Sequence, residues 1–311
     1  MVTQTQTTPR MTLESIQGGR RVRPVRVVGY GPEGVGKSTF GAGAPSPVFI
    51  GPEDGTDHLD VQRFPAPKSL EDVYDAVRVL GTTDHSYQTL VIDTLDWMEP
   101  VLWDHICKRD AQDNIEAYGY GKGYVAAVDE WRRLLSILDR LRDVKSMHIV
   151  LLAHSWIRSF KNPEGEDFDR YQLKLHDKSS GLIKEWADCV LFFNYETYAA
   201  KDSKTKRIRG VSTGSRLIHT TRTAAYDAKN RYDLPESMPL DWSDFFAAVQ
   251  THRPADPVAL LAEITRKAKL IGGDAEAKAM AKTVDADAAT LAKINDRLNA
   301  LIAQKETDES C

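Results

Sequence analysis

Apolar residues recur along this chain in two rhythms, and their alternation predicts its architecture. VRPVRVVGY (22–30), SPVFIG (46–51), YQTLVID (87–93), MHIVLLAH (147–154) and DCVLFFNY (188–195) are short, β-rich runs, as buried strands are. Between them the apolar positions fall at helical spacing. Ser69 caps LEDVYDAVRVLG, where Leu70, Val73, Val77 and Leu80 share a face and Gly81 is expected to stop the helix. Residues 95 to 112 look helical. From 124 to 143, Val125, Val128, Trp131, Leu134, Leu135, Leu138 and Leu141 form an amphipathic stripe. DWSDFFAAV (241–249) closes the series as a helix. Strands alternating with helices predict an α/β fold with a mostly parallel central sheet.

Some intervals break the alternation. Residues 155 to about 180 are polar and contain the turn-like NPEGED, so a long functional or mobile loop is expected there. YETYAAKDSKTKRIRGVSTG predicts a β-hairpin with a basic tip, and RLIHTTR a further strand. Residues 1–20 are polar and Thr/Gln-rich without period, as a flexible arm would be. Beyond Pro254 and Pro257 the composition shifts to Ala, Lys, Asp and Glu, which predicts two or three helices over 257–304. The expected organisation is an arm (1–20), a core (21–253) and a small helical C-terminal appendage (254–311).

Composition narrows the class. Of 311 residues, 41% are hydrophobic and 28% charged, ordinary values for a globular chain. No apolar run approaches the roughly 20 residues that span a bilayer, so no membrane partner is expected. The first residues lack the apolar stretch of a secretory signal. The three cysteines, Cys107, Cys189 and Cys311, are far apart, which suggests reduced thiols in a cytoplasm. The formal net charge of −4 excludes a simple polycation. Basic residues nevertheless concentrate at Arg10, Arg20, Arg21, Arg23 and Arg26. They do so again at Lys201, Lys204, Lys206, Arg207, Arg209, Arg216 and Arg222. Each run suits either a polyanion or plain solvent.

The sharpest chemistry lies at Gly31-Pro32-Glu33-Gly34-Val35-Gly36-Lys37-Ser38-Thr39, which fits G-x-x-x-x-G-K-S/T between a predicted strand and helix. The glycines let backbone N–H groups wrap closely around phosphates. Lys37 is expected to reach the β- and γ-phosphates of ATP, and the Ser38 hydroxyl to bind Mg²⁺. Asp93 ends TLVID, where an acid supports the metal. The next residue is Thr94, not a glutamate, so the base that activates water must come from elsewhere. Glu53, just past the second strand, is the candidate, with Asp54 as the alternative. His154, ending the fourth strand, is placed to sense the γ-phosphate. No N-K-x-D run marks guanine, and ATP is not distinguished from GTP by pattern.

These positions together resemble the RecA-like P-loop NTPase core. GPEGVGKST, the PEDG turn, VIDTLDW, YGYGKGY and AAYDAKNRYDLP resemble, more narrowly, the phage nucleotide-binding AAA family. That family includes the Sak-type single-strand annealing ATPases. The resemblance covers about residues 22 to 240. It implies self-assembly into rings or filaments with ATP between subunits, and a late basic residue, Lys229 or Arg231, reaching a neighbour's site. It also makes Glu53 the water-activating residue. It implies that the loops after the fourth and fifth strands line a path for single-stranded DNA. Lys161, Arg170, Lys174 and Lys178 with Trp156, Phe160 and Tyr171 would serve the first loop, Lys204, Lys206, Arg207 and Arg209 the second. YGYGKGY, with Lys122, reads equally as a contact loop or a helix entry. The C-terminal helices are candidates for binding a single-strand binding protein. An ATP-dependent single-stranded-DNA recombination or annealing protein is therefore expected. A ring helicase or other motor, and a nucleotide switch without nucleic acid, are the alternatives.

Overall fold

The computed structural model describes residues 11–16, 22–51, 56–201, 208–251 and 257–271, with parts of the stretch 283–302. Residues Arg23–His252 cluster as one compact unit. Its strands are β1 (Arg26–Gly31), β2 (Pro47–Ile50), β3 (Gln62–Arg63), β4 (Thr89–Asp93), β5 (His148–Phe160), β6 (Phe168–Leu173), β7 (Cys189–Lys201), β8 (Ile208–His219) and β9 (Ser237–Pro239). The helices are α1 (Lys37–Ala42), α2 (Leu70–Thr82), α3 (Leu95–Arg109), α4 (Lys122–Lys145), α5 (Asp177–Trp186) and α6 (Trp242–Thr251). One further helix, α7 (Pro257–Ile271), belongs to a second unit. There Ile264, Ala268, Leu291 and Leu298 form a small apolar cluster.

The sheet runs β3-β2-β4-β5-β1-β7-β8-β9. From β3 to β7 every pairing is parallel, and β8 and β9 return antiparallel. Side chains alternate faces along each strand. Val28, Tyr30, Leu90, Ile92, Ile149 and Leu151 join the apolar faces of α2, α3, α4 and α5. Val27, Val91, Val150 and Leu152 join Phe40 of α1 and Trp242 and Phe245 of α6. Both faces are thus covered, which explains why the central strands read as nearly continuous apolar runs. Each fully buried side chain of this size contributes about 1.5–3 kcal/mol. Among the described residues no helix is long and apolar enough to cross a membrane.

Several expectations need correction. The segment 155–180 is not a loop. β5 continues beyond the sheet edge to Phe160 and pairs antiparallel with β6, from Ser155↔Leu173 to Phe160↔Phe168, and α5 follows. Two polar strands satisfy each other's backbone there, so no apolar signal was needed to form them. RLIHTTR is not a separate strand, because Arg216 to His219 are the returning end of β8. Gly81 lies inside α2, which runs on to Thr82. The helix expected at 95–112 ends at Arg109, and α4 extends past both ends of the stripe at 124–143.

Candidate functional site

β1 delivers the chain to the phosphate loop. At Gly31 a Cβ would lie 2.3 Å from the Phe193 carbonyl oxygen, so only glycine lets the two strands pass so closely. Gly36 caps α1 with φ 105, a left-handed conformation that side chains rarely adopt. The ammonium of Lys37, itself buried, donates to the carbonyls of Gly31 at 3.3 Å and Pro32 at 2.9 Å.

The decisive contact joins two distant segments. The Ser38 hydroxyl donates to Asp93 Oδ2 at 2.5 Å. Asp93 ends β4, which is separated from β1 by β5, so the strand order brings the two together. The cavity here is about 610 Å³ and is lined by Glu33, Gly34, Gly36, Lys37, Ser38, Thr39, Asp93 and His154. His58, Thr94, Trp97, Lys174 and Arg216 complete it.

His154 stands opposite Gly31 in the register of β1 and β5. Its backbone N–H donates to Asp96 Oδ1 and its Nδ1 contacts Asp96 Oδ2, both at 2.9 Å. This pairing fixes the ring and leaves Nε2 as the remaining polar atom. Burial alone would push the Asp96 carboxyl up. The hydrogen bonds from His154 outweigh burial and hold it below the usual carboxylate value. Lys174 Nζ lies 3.9 Å from the same carboxylate.

A family model described as an AAA domain matches residues 23–232. The chain belongs to this AAA-domain family. Its core is an α/β domain with a mostly parallel central sheet. A comparison with curated proteins finds no match. Among solved structures the chain is similar to that of the RadB recombinase, at 12% identity and a TM-score of 0.36, over 63% of this chain and 87% of that one.

The residues of the AAA domain fit a nucleotide with magnesium. A positively φ-rich glycine loop supplies N–H groups, a buried lysine supplies charge, and a hydroxyl bonded to a carboxylate suits a hard cation. Ser38 and Asp93 would hold the magnesium. Among the described residues there is no group of three or more His, Cys, Asp or Glu that could hold a metal ion. A cavity of similar volume, about 580 Å³, lies by Lys68, Glu71, His105 and Arg109. Its charges are spent on one another: His105 pairs with Glu71 at 2.8 Å and Arg109 with Glu130 at 3.1 Å.

Other expected site residues are distributed differently. Glu53 and Asp54, with the PEDG turn, lie outside the described residues, as do Lys204, Lys206 and Arg207. Arg209 pairs with Ala200 through the backbone of β8. Lys229 and Arg231 do not line the cavity. The Lys229 ammonium donates to the carbonyls of Lys184, Glu185 and Ala187 at 3.0, 3.0 and 2.8 Å, closing the end of α5. Arg231 pairs with Asp188 at 3.3 Å. Arg170 is buried, 2.6 Å from Asp227, and so is withdrawn from any groove. In YGYGKGY, Gly123 is needed because a Cβ would lie 2.2 Å from the Ile115 carbonyl. Tyr124 stacks on His176 at 3.9 Å. His58, Thr94, Trp97, Lys174 and Arg216 were not expected at this cavity, nor was Asp96 as the partner of His154. Asp96 had a faint signal, three residues beyond Asp93 in the first turn of α3. Arg216 had none, because its place depends on hairpin register.

Proposed function

We propose that this AAA domain binds ATP with magnesium at the end of β1, hydrolyses it, and uses the cycle to hold single-stranded DNA in recombination or annealing of the phage type. The Ser38–Asp93 contact at 2.5 Å carries the nucleotide reading, because no structural role requires a glycine-loop serine to meet a carboxylate from a strand two places away. Lys37 swings from the loop carbonyls to the phosphates. Glu53 orients the attacking water, and His154, braced by Asp96, reports the terminal phosphate. Magnesium supplies charge neutralisation of the phosphate oxygens.

The DNA reading is supported by two antiparallel pairs, β5–β6 and β7–β8. On the first, Arg158 lies 4.5 Å over the Trp156 ring and Lys161 is exposed, and Lys178 is exposed at the start of α5 that follows. Cations beside aromatic faces suit a single strand without sequence preference. In the sequence, Lys204, Lys206 and Arg207 fall between β7 and β8, and Arg209 belongs to β8. Copies of the chain assemble with ATP between them. Arg231, whose side chain is 53% exposed, serves the neighbour's site better than Lys229, whose three carbonyl partners hold it. The C-terminal unit offers a surface for a single-strand binding protein.

ATPase activity is measured with and without single-stranded DNA, for the wild type and Lys37→Ala. Stimulation by DNA that vanishes in the variant supports the reading. Failure to retain single-stranded DNA at low salt with ATP rejects the DNA half, and failure to bind any nucleoside triphosphate rejects the whole.

A further inference from the structure

Arg216 belongs to the basic run at 201–222, yet it sits against the glycine loop. It lies on β8 opposite Tyr195 of β7. The Tyr195 hydroxyl donates to the Gly34 carbonyl at 2.8 Å. The Arg216 guanidinium stands so near the loop that a Cβ on Gly36 would be 3.0 Å from its Nη1. It lines the same cavity as Lys37, Ser38 and Asp93. Its backbone is fixed by the Leu240 N–H, which donates to the Arg216 carbonyl at 2.9 Å, and its guanidinium lies 5.8 Å from the centre of the Tyr195 ring.

Its charge is also unspent. Arg26 and Arg142 pair with Asp188, Arg170 with Asp227, and Arg158 with Asp177. Among the described residues no carboxylate pairs with Arg216. A guanidinium without an acid, facing a phosphate-shaped loop, presents a planar fork of donors that matches phosphate oxygens.

We infer that Arg216 is a phosphate ligand supplied in cis by the β7–β8 hairpin, and that it holds the α- and β-phosphates of the nucleotide. This rests on the nucleotide reading given above. The sheet order decides which phosphates. Asp93 and His154, which mark the terminal phosphate, come from β4 and β5 on one side of β1. Arg216 comes from β8 on the other side. A polyphosphate lying across the loop between them therefore turns its proximal end toward Arg216. Contacts there are made equally in the ground and transition states, so they strengthen binding without speeding the chemical step.

The test is calorimetry with Mg-ATP and Mg-ADP plus steady-state ATPase assays on the full chain. It compares the wild type, Arg216→Ala and Arg216→Lys. Arg216→Ala is expected to weaken ATP and ADP alike, by about tenfold or more, while kcat stays within about threefold. Arg216→Lys recovers part of the affinity, since a point charge remains but the fork is lost. Wild-type affinity of the alanine variant for both nucleotides overturns the assignment. So does a fall in kcat with ADP affinity unchanged, which would move Arg216 to the terminal phosphate. If the wild type itself takes up no nucleotide, the reading of the site fails before any variant is compared. Should Arg216→Ala fold poorly, Arg216→Gln, which removes the charge but keeps a long side chain, carries the same comparison.

Discussion

Two groups of cationic side chains sit at opposite ends of β1 and differ in what they face. At its N-terminal end the Asp188 carboxylate, 6% exposed, is met by Arg26 at 2.9 Å, Arg142 at 3.2 Å and Arg231 at 3.3 Å. Arg26 also meets Asp139 at 3.1 Å, and Lys229 nearby is consumed by three carbonyls. At its C-terminal end Lys37, Lys174 and Arg216 line a cavity of about 610 Å³ together with the acids Glu33 and Asp93. Apart from the half-exposed Arg231, the first group is held by these partners and ties strands and helices together. The second lines an open cavity. The two ends of one strand thus differ in how closely the fold matches each basic side chain with an acid.

That contrast can be broken experimentally. The largest effect is expected from Lys37→Ala, which should cut nucleotide affinity by about a hundredfold or more. Its denaturation midpoint without nucleotide should stay close to that of the wild type. A variant that binds ATP normally would dissolve the distinction between the two ends.

Asp188→Ala should act oppositely, costing about 3–5 kcal/mol in urea unfolding because it strands buried guanidinium groups. The folded fraction should keep its nucleotide affinity. Burial alone would raise the Asp188 carboxyl, but Arg26 and Arg142 outweigh it and hold it below the ordinary value. Its contribution is thus present above the unfolded carboxyl value of about 3.9 and lost as pH falls through the lower folded value. Stability of the wild type should drop on acidification below about pH 4, and that drop should shrink in the alanine variant.

A smaller loss, about 1–2 kcal/mol, is expected for Lys229→Met, which leaves the end of α5 without its donor. Burial, then the nearby Arg231 charge, lowers the Lys229 ammonium, consistent with an enclosed structural role. Unchanged stability with a large fall in kcat of the assembled protein would return Lys229 to a neighbour's catalytic site. The smallest effect is expected for Asp96→Asn, which should lower kcat by about threefold to tenfold through a less firmly held His154. KM should not move. A rise in KM alone would make Asp96 a binding residue and not a brace for His154.

Much of this was legible beforehand, and the exceptions share a cause. The parallel strands other than the exposed edge strand β3, and α2, α3, α4 and α6, announce themselves by local apolar rhythm, because both faces of the sheet are covered. The loop at Gly31 to Ser38 is contiguous, and its demands on φ are local, so glycines in a row suffice to mark it. The arm formed by β5 beyond Ala153 and by β6 was invisible, since its polar strands are held by cross-strand pairing and not by a buried face. The roles of Arg216 and Arg231 were equally indistinct, being two arginines in neighbouring polar stretches.

The sequence by itself determined the class of fold, the phosphate loop and the acid at the end of β4, because each is written in neighbouring residues. Only the tertiary structure decided which distant groups meet: Ser38 with Asp93, His154 with Asp96, Arg216 with Gly36, Arg231 with Asp188. Strand order and antiparallel return set those meetings. A side chain's partners across a sheet follow from register, to which spacing along the chain carries no code.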